Sequence, residues 1–455
     1  MITKKNILKV YFLFIFSHLL LWTIVPSLTN ENLPLDTIEA LAWGSDLSWG
    51  FNKHPPLSAF AVEFFFKLFG NQDWAYYLLS QIFVLIAFLA IFNLARDFFD
   101  DIFLAFFSIL LLEGLFFLNF TTPEFNVNVS QLPFWALSVF FSWRCIKYNK
   151  FQDYIFLGLF AGLGILSKYL FLYLVFSIKL LFLYLIIKKK IKSYHIVTSG
   201  MITFAVLLPH ILWLFENDFV TLKYGLQRTG GLGSYADHFV FPLTLIFKQL
   251  TILIPVFLMA FFLMKKFKFK KIIFNEKMIF LMFTFALPVL LMVLTSFIMG
   301  VKIRTMWMTP FYLLIGIFLI QLIKSNINFK NLRKFYSIFL FFFLLSPSIY
   351  LFVSIASETK RTDYPGKEIA RLVQNKWDNN FRNEIKVVIG DEWFAGNLSY
   401  HLYSRPKWMI ELNNTKQLNS RDGVIYTGNP KVLKKICPGV FGTIKPVGYC
   451  MIGKK

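Results

Sequence analysis

LDTIEALAWGSDLSWGFNKHPPLSAF, residues 35–60, is a polar island in an oily chain. One hydrophobic run precedes it and a long series follows. Inside it stand Asp36, Glu39, Asp46, Lys53 and His54, beside Pro55-Pro56. The runs on either side decide the fold class. Many approach 20 apolar residues, enough for a helix rising 1.5 Å per residue to cross a hydrocarbon core of about 30 Å. The 455 residues are 57% hydrophobic and 19% aromatic, with 58 Phe and only 16% charged residues. A soluble chain of this length has no use for so much apolar surface. The expected fold is an all-α polytopic membrane protein.

The net charge of +22 suggests nucleic acid only until the cations are located. They fall in short runs between apolar segments: Lys188-Lys189-Lys190, Lys265-Lys266, Lys268, Lys270-Lys271, and Lys330, Arg333, Lys334. Such runs mark cytoplasmic loops and set topology, so no nucleic-acid partner is expected. The first apolar run, after MITKKN, is too long for a signal peptide and lacks a small-residue cleavage site. It is read as a retained span with a cytoplasmic N-terminus.

Eleven spans are expected, at about 7–28, 74–95, 102–119, 131–148, 153–167, 169–187, 195–215, 242–264, 278–299, 306–324 and 335–356. This count puts every lysine-rich loop inside and leaves loops 29–73, 120–130, 216–241 and 300–305 outside. Residues 1–356 are the expected transmembrane domain. Residues 357–455 are mixed and polar, and are expected to form a small extramembrane α/β domain on the outer side. In it EIKVVIGDEW and GVIYTGN read as short strands and GKEIARLVQNKW as a helix. Cys437 and Cys450 lie there, where an outer compartment permits a disulfide but spacing alone does not establish one. Cys145, at an inner helix end, is read as a free thiol.

Ionisable groups at membrane depth are costly and usually mark a pathway or a site. Here they gather on the outer face. The first loop offers Asp36, Glu39, Lys53 and His54, and the second, NFTTPEFNVNVSQLP, offers Glu124, Asn126 and Asn128. Lys168 and Tyr169 open the sixth span, His210 ends the seventh, and Arg304 and Trp307 precede the tenth. Simpler readings stand beside these. Glu124 follows a proline at an expected helix start, where an acid favours the dipole; Lys53 can snorkel to headgroups; His210 can be a satisfied core histidine. Lys179 and Lys248 lie within spans and are assigned no role. A carboxylate can take an acceptor's proton while Lys and Arg neutralise charge on a departing phosphate. That chemistry suits sugar transfer from a polyprenyl-phosphate donor. A transporter is the competing class, but no inverted repeat is visible.

The opening stretch resembles the first loop of glycosyltransferase family 39 and related GT-C membrane transferases. These include protein O-mannosyltransferases, the aminoarabinose transferases of lipid A and the rhizobial galacturonosyltransferases of lipopolysaccharide. Their leading acid precedes an aromatic-rich stretch ending in an HPPL or KPP element; here Asp36 lies 18 residues before His54. The family commonly has Asp-Glu as neighbours, whereas Thr37 follows Asp36, so Asp36 and Glu39 both stand as candidate bases, Asp36 first. TTPEFNVNV resembles the second-loop TPD element, with Glu124 at the acid position, and GLGILSKY resembles a G-L-T-K-Y element that places Lys168 near the donor phosphate. LPHILWLFENDF, RTMWMTP, DYPGKEIA and GDEWFAGNLSYHLYSRP look like segments of the lipopolysaccharide-modifying members.

The resemblance implies an inverting transferase in a bacterial inner membrane, with its tail in the periplasm. It would move a hexosyl or pentosyl unit from a polyprenyl-phosphate donor to lipid A, lipopolysaccharide core or a protein. Its catalytic acids would be Asp36, Glu39 and Glu124, with Lys53, Lys168 and Arg304 on the phosphate. His54, Tyr169, His210, Asn126 and Trp307 would contact substrate. Some GT-C enzymes use a divalent metal; the acids here show no ligand spacing that demands one.

Overall fold

The computed structural model describes residues 4–191, 193–230, 233–266, 274–330, 332–357, 359–410 and 422–455. Lys268, Lys270 and Lys271 of the expected inner lysine run lie outside these. The chain is an all-α membrane body carrying a small C-terminal five-stranded sheet. The first span, α1 (Ile7–Thr29), leads into two short helices of the first loop, α2 (Leu35–Gly44) and α3 (Leu57–Phe69). Then come α4 (Asp73–Phe98), α5 (Ile102–Leu110), the single turn α6 (Val127–Ser130), α7 (Leu132–Tyr148) and α8 (Phe151–Ser167). After these run α9 (Leu172–Ile187), α10 (Ser193–Glu216), α11 (Val220–Arg228) and α12 (Asp237–Leu263). The body closes with α13 (Glu276–Leu281), α14 (Leu287–Met299), α15 (Ile315–Ile323) and α16 (Arg333–Ala356).

Every expected apolar segment is helical, but not all are straight spans. Among the described residues seven helices are long and apolar enough to cross a membrane, or eight if a pair bent by 56° near residue 313 counts as one. α7 and α8 are shorter, at 17 residues each. The run expected as one span over 102–119 breaks after Leu110 into 3-10 turns, Leu111–Gly114 and Phe116–Leu118. Two contacts account for the break. Glu113 is buried against His18 Nδ1 of α1 at 3.0 Å, and Gly114 sits so close to α12 that a Cβ would lie 2.8 Å from Val256 N. The outward helix faces are apolar, Leu13 and Leu28 among them, as lipid contact requires.

The two ends of the body differ. At one, ion pairs tie short loops together: Lys4–Asp101, Lys147–Asp97 and Lys190–Glu276. At the other, the first loop meets the C-terminal segment. That segment holds α17 (Gly366–Asp378), β1 (Val387–Ile389), α18 (Phe394–His401), β2 (Lys407–Met409), β3 (Val424–Gly428), α19 (Pro430–Ile436), β4 (Val440–Ile444) and β5 (Val447–Ile452). The sheet order is β2-β1-β3-β5-β4, parallel from β2 to β3 and antiparallel beyond. The expected helix and both expected strands are present, and Cys437 bonds Cys450 of β5. Cys145 is free and buried.

The sheet's core is shared. Ala42, Trp43, Phe51 and Ala59 of the first loop pack with Val388, Leu398, Trp408 and Tyr449 of the tail. α18 lies so near α2 that a Cβ at Gly396 would be 3.2 Å from Ala42 Cβ. Polar ties reinforce the contact: Arg405 reaches Glu63 and the Leu41 carbonyl, Asn397 accepts from Asn32, and Trp408 N donates to Ser45. The tail therefore holds α2, and with it the acids of the opening stretch, against the body.

Candidate active site

A cavity of about 1490 Å³ opens where the first loop, the second loop, α11, the segment before residue 305 and the tail converge. That exceeds the ~300–1,000 Å³ of ordinary small-molecule pockets. Ten of the eleven residues expected at a site line it: Asp36, Glu39, Lys53, His54, Glu124, Asn126, Lys168, Tyr169, Arg304 and Trp307. His210 does not. It stands behind Tyr169, whose hydroxyl it meets at 2.7 Å, and its other nitrogen faces the Trp49 carbonyl. Tyr169 also bonds Thr221 of α11, so His210 supports a lining residue. Lys179 and Lys248 are exposed and away from the cavity.

The three acids are held differently. Asp36 sits in the first turn of α2, half-buried at the cavity wall. Burial raises its pKa, and Lys168, Lys53, Arg361 and Arg228 counter that from several sides. Glu39, one turn on, is gripped by Lys53; burial still pushes it up to about 7. Glu124 does not cap its own helix, because that helix starts at Val127 with Asn126 as its cap. Its carboxylate instead accepts the Asp36 backbone N–H at 3.0 Å, capping α2 from another loop. Burial, then the nearby Asp36 charge, lifts Glu124 to about 8. Burial and the Asp36 charge thus favour the protonated form of Glu124, while four nearby cations favour the charged form of Asp36.

The cations divide similarly. Lys168 occupies an extended break between α8 and the turn Tyr169–Phe171. It is buried, donates to Asn128 at 2.6 Å and lies 5.2 Å from the Trp307 ring centre. Burial pulls its pKa down to about 7, partly offset by Asp36. Lys53 is opposed by burial but raised by Glu39 and Glu392. Among the described residues Arg228, Arg304 and Arg361 form no ion pair, although all three line the cavity. His54 is held neutral, its pKa near 3, by burial and by Lys168, Lys53 and Arg228. No three His, Cys, Asp or Glu side chains among the described residues form a metal-binding set.

The family profile of dolichyl-phosphate-mannose-protein mannosyltransferases matches residues 53–213, from Lys53 into the last turn of α10. The chain superposes on the crystal structure of ArnT from Cupriavidus metallidurans bound to undecaprenyl phosphate. The TM-score is 0.65 at 12% identity, over 96% of this chain and 97% of that one. The chain has the ArnT fold. Against the apo state of the same protein the TM-score is 0.61 at 10% identity, with the same coverage. No curated protein sequence matches the chain.

Around this ArnT-fold cavity stand residues to which the sequence reading gave no role. Asn128 holds Lys168; Arg228 comes from α11, and Arg361 and Glu392 from the tail. Arg228 was visible as a rare outer-loop cation, and Glu392 lies inside the GDEW motif. Neither signal says which neighbour the side chain meets.

Proposed function

We propose that this chain is an inverting glycosyltransferase that moves a sugar from a polyprenyl-phosphate donor onto an outer-leaflet acceptor, lipid A or lipopolysaccharide core. One observation carries the reading: a single cavity joins a carboxylate ringed by cations to an apolar wall of Leu172, Met292, Met299 and Val353. The wall suits an isoprenyl chain and the cations suit its phosphate. The acceptor hydroxyl attacks the anomeric carbon from the face opposite the phosphate, and Asp36 takes its proton as the new C–O bond forms. The bond to phosphate breaks with its electrons on the departing oxygen, where Lys53, Lys168 and Arg304 neutralise the charge. Glu124 fixes the first turn of α2 and so the position of Asp36. His54, Tyr169, Asn126 and Trp307 shape the sugar and acceptor space, with His210 behind Tyr169.

The setting proposed is a bacterial inner membrane, with the N-terminus cytoplasmic, residues 1–356 as the membrane domain, and residues 357–455 periplasmic. Mass spectrometry of lipid A and core from cells with and without the gene tests the reading. A missing hexosamine, pentosamine or hexuronic acid would support it and name the sugar class. Unchanged lipid A and core, with a sugar lost from a protein, would favour protein O-glycosylation instead. The profile match over 53–213 is what supports that second reading.

A further inference from the structure

Lys53 is held by two carboxylates from different parts of the chain. Glu39 of α2 grips it from one side, and Glu392 of the tail lies 3.0 Å from its Nζ on the other. The same Glu392 oxygen accepts Asn52 Nδ2 at 3.0 Å. All three side chains are largely buried and line the cavity. A lysine ammonium carries three N–H donors in tetrahedral array. With two committed, one is left and its direction is set.

We propose that Glu392 is a positioning residue: with Glu39 it aims the remaining N–H of Lys53 at the donor phosphate, so that the C-terminal segment completes the donor site. This rests on the polyprenyl-phosphate reading above. Glu39 alone leaves the ammonium free to swing on its four-carbon stem; the second anchor removes that freedom before the phosphate arrives. Glu392 is also raised above the role of a tether by its place. The tail is already fastened to the first loop by Arg405, Lys407 and Trp408. A further acid inside the cavity is not needed for docking. The charge states agree with a working pair, Lys53 being raised partly by Glu392 and Glu392 lowered partly by Lys53.

The test measures binding of undecaprenyl phosphate, without sugar, to the full chain in nanodiscs. Glu392→Ala should weaken binding about tenfold, the scale of one charge-assisted contact, and Glu392→Gln less, since an acceptor remains. On a Lys53→Met background, Glu392→Ala should cause no further loss, because nothing is left to aim. Lys407→Ala, which cuts the separate tail contact to Asp46, should leave binding unchanged. The inference is overturned if neither Glu392 variant weakens binding. It is equally overturned if Glu392→Ala weakens binding as much without Lys53, since that marks loss of packing. Absence of wild-type binding would remove the donor reading itself, and this inference with it.

Discussion

Lys168→Met separates function from stability, because the structure asks the two to move in opposite directions. Lys168 is only 6% exposed, and its ammonium is held by one neutral amide, Asn128, and one aromatic face, Trp307. Burial lowers its pKa from 10.5 to about 7, which corresponds to roughly 4–5 kcal/mol of lost preference for the charged form. The unfolded lysine takes its proton below 10.5 and the folded one only below about 7. This group therefore destabilises the fold fully below pH 7, and the penalty fades as pH rises toward 10.5. Methionine keeps much of the bulk and deletes the charge. It leaves Asn128 without its donor, at a cost of about 1–3 kcal/mol. The burial penalty is the larger, so the melting temperature at pH 7 should hold or rise. Donor use should fall. A charge-assisted contact to phosphate is worth about 1.5–3 kcal/mol, or roughly 10- to 150-fold. Both the donor KM and kcat should be affected, because the phosphate is also the leaving group. The assay is transfer in nanodiscs with varied donor and fixed acceptor, beside thermal melts from pH 6 to 10. Unchanged donor kinetics together with a lower melting temperature would make Lys168 a structural group and refute the assignment.

Asp36→Asn should cut transfer about 10²- to 10⁴-fold, the usual loss of a general base, while the protein still inserts and binds the carrier. Near-normal activity there, with Glu39→Gln inactive, would shift the role to Glu39. Glu124→Gln mimics the protonated acid and keeps the oxygen that accepts the Asp36 N–H. Since Glu124 is raised from 4.5 to about 8, its contribution to stability is fully present below about pH 4.5 and lost as pH rises through about 8. The variant should therefore melt higher than wild type at pH 8 and equally at pH 4, and equal melts at pH 8 would contradict the assignment. Gly316→Ala would put a Cβ 1.9 Å from the Ser108 carbonyl of α5; the overpacking should cost about 1–3 kcal/mol or more, read as a lower melting temperature. Reporter fusions after Lys266 and after Lys455 should give opposite localisation signals, and matching signals would overturn the proposed topology.

What the sequence made legible follows the cost of charge. Inside the membrane body an ionisable side chain is expensive, so each one that persists carries information. Asp36, Glu39, Lys53, Glu124, Lys168 and Arg304 stood out for that reason, and all six line one cavity. His210 was read by the same rule. It lies behind the cavity wall and meets Tyr169, because a buried histidine is satisfied equally by a substrate or by a neighbouring hydroxyl. In the tail the rule fails. Charges there are solvated and cheap, so Glu392 looked like any other acid of a polar domain although it meets Lys53. Arg361 was hidden likewise. Secondary structure shows a parallel limit. Apolar runs announced the helices, yet the break after Leu110 depends on Val256 and His18, more than 90 positions away along the chain. The strands β4 and β5 carry glycines and a cysteine where alternation would be read, and their pairing with β3 gives them their place. The fold class is thus a local property of this chain, written in runs of apolar residues. The site is half local and half tertiary: the membrane loops supply groups that are conspicuous one by one, and the tail supplies partners whose meaning exists only once it is folded against them.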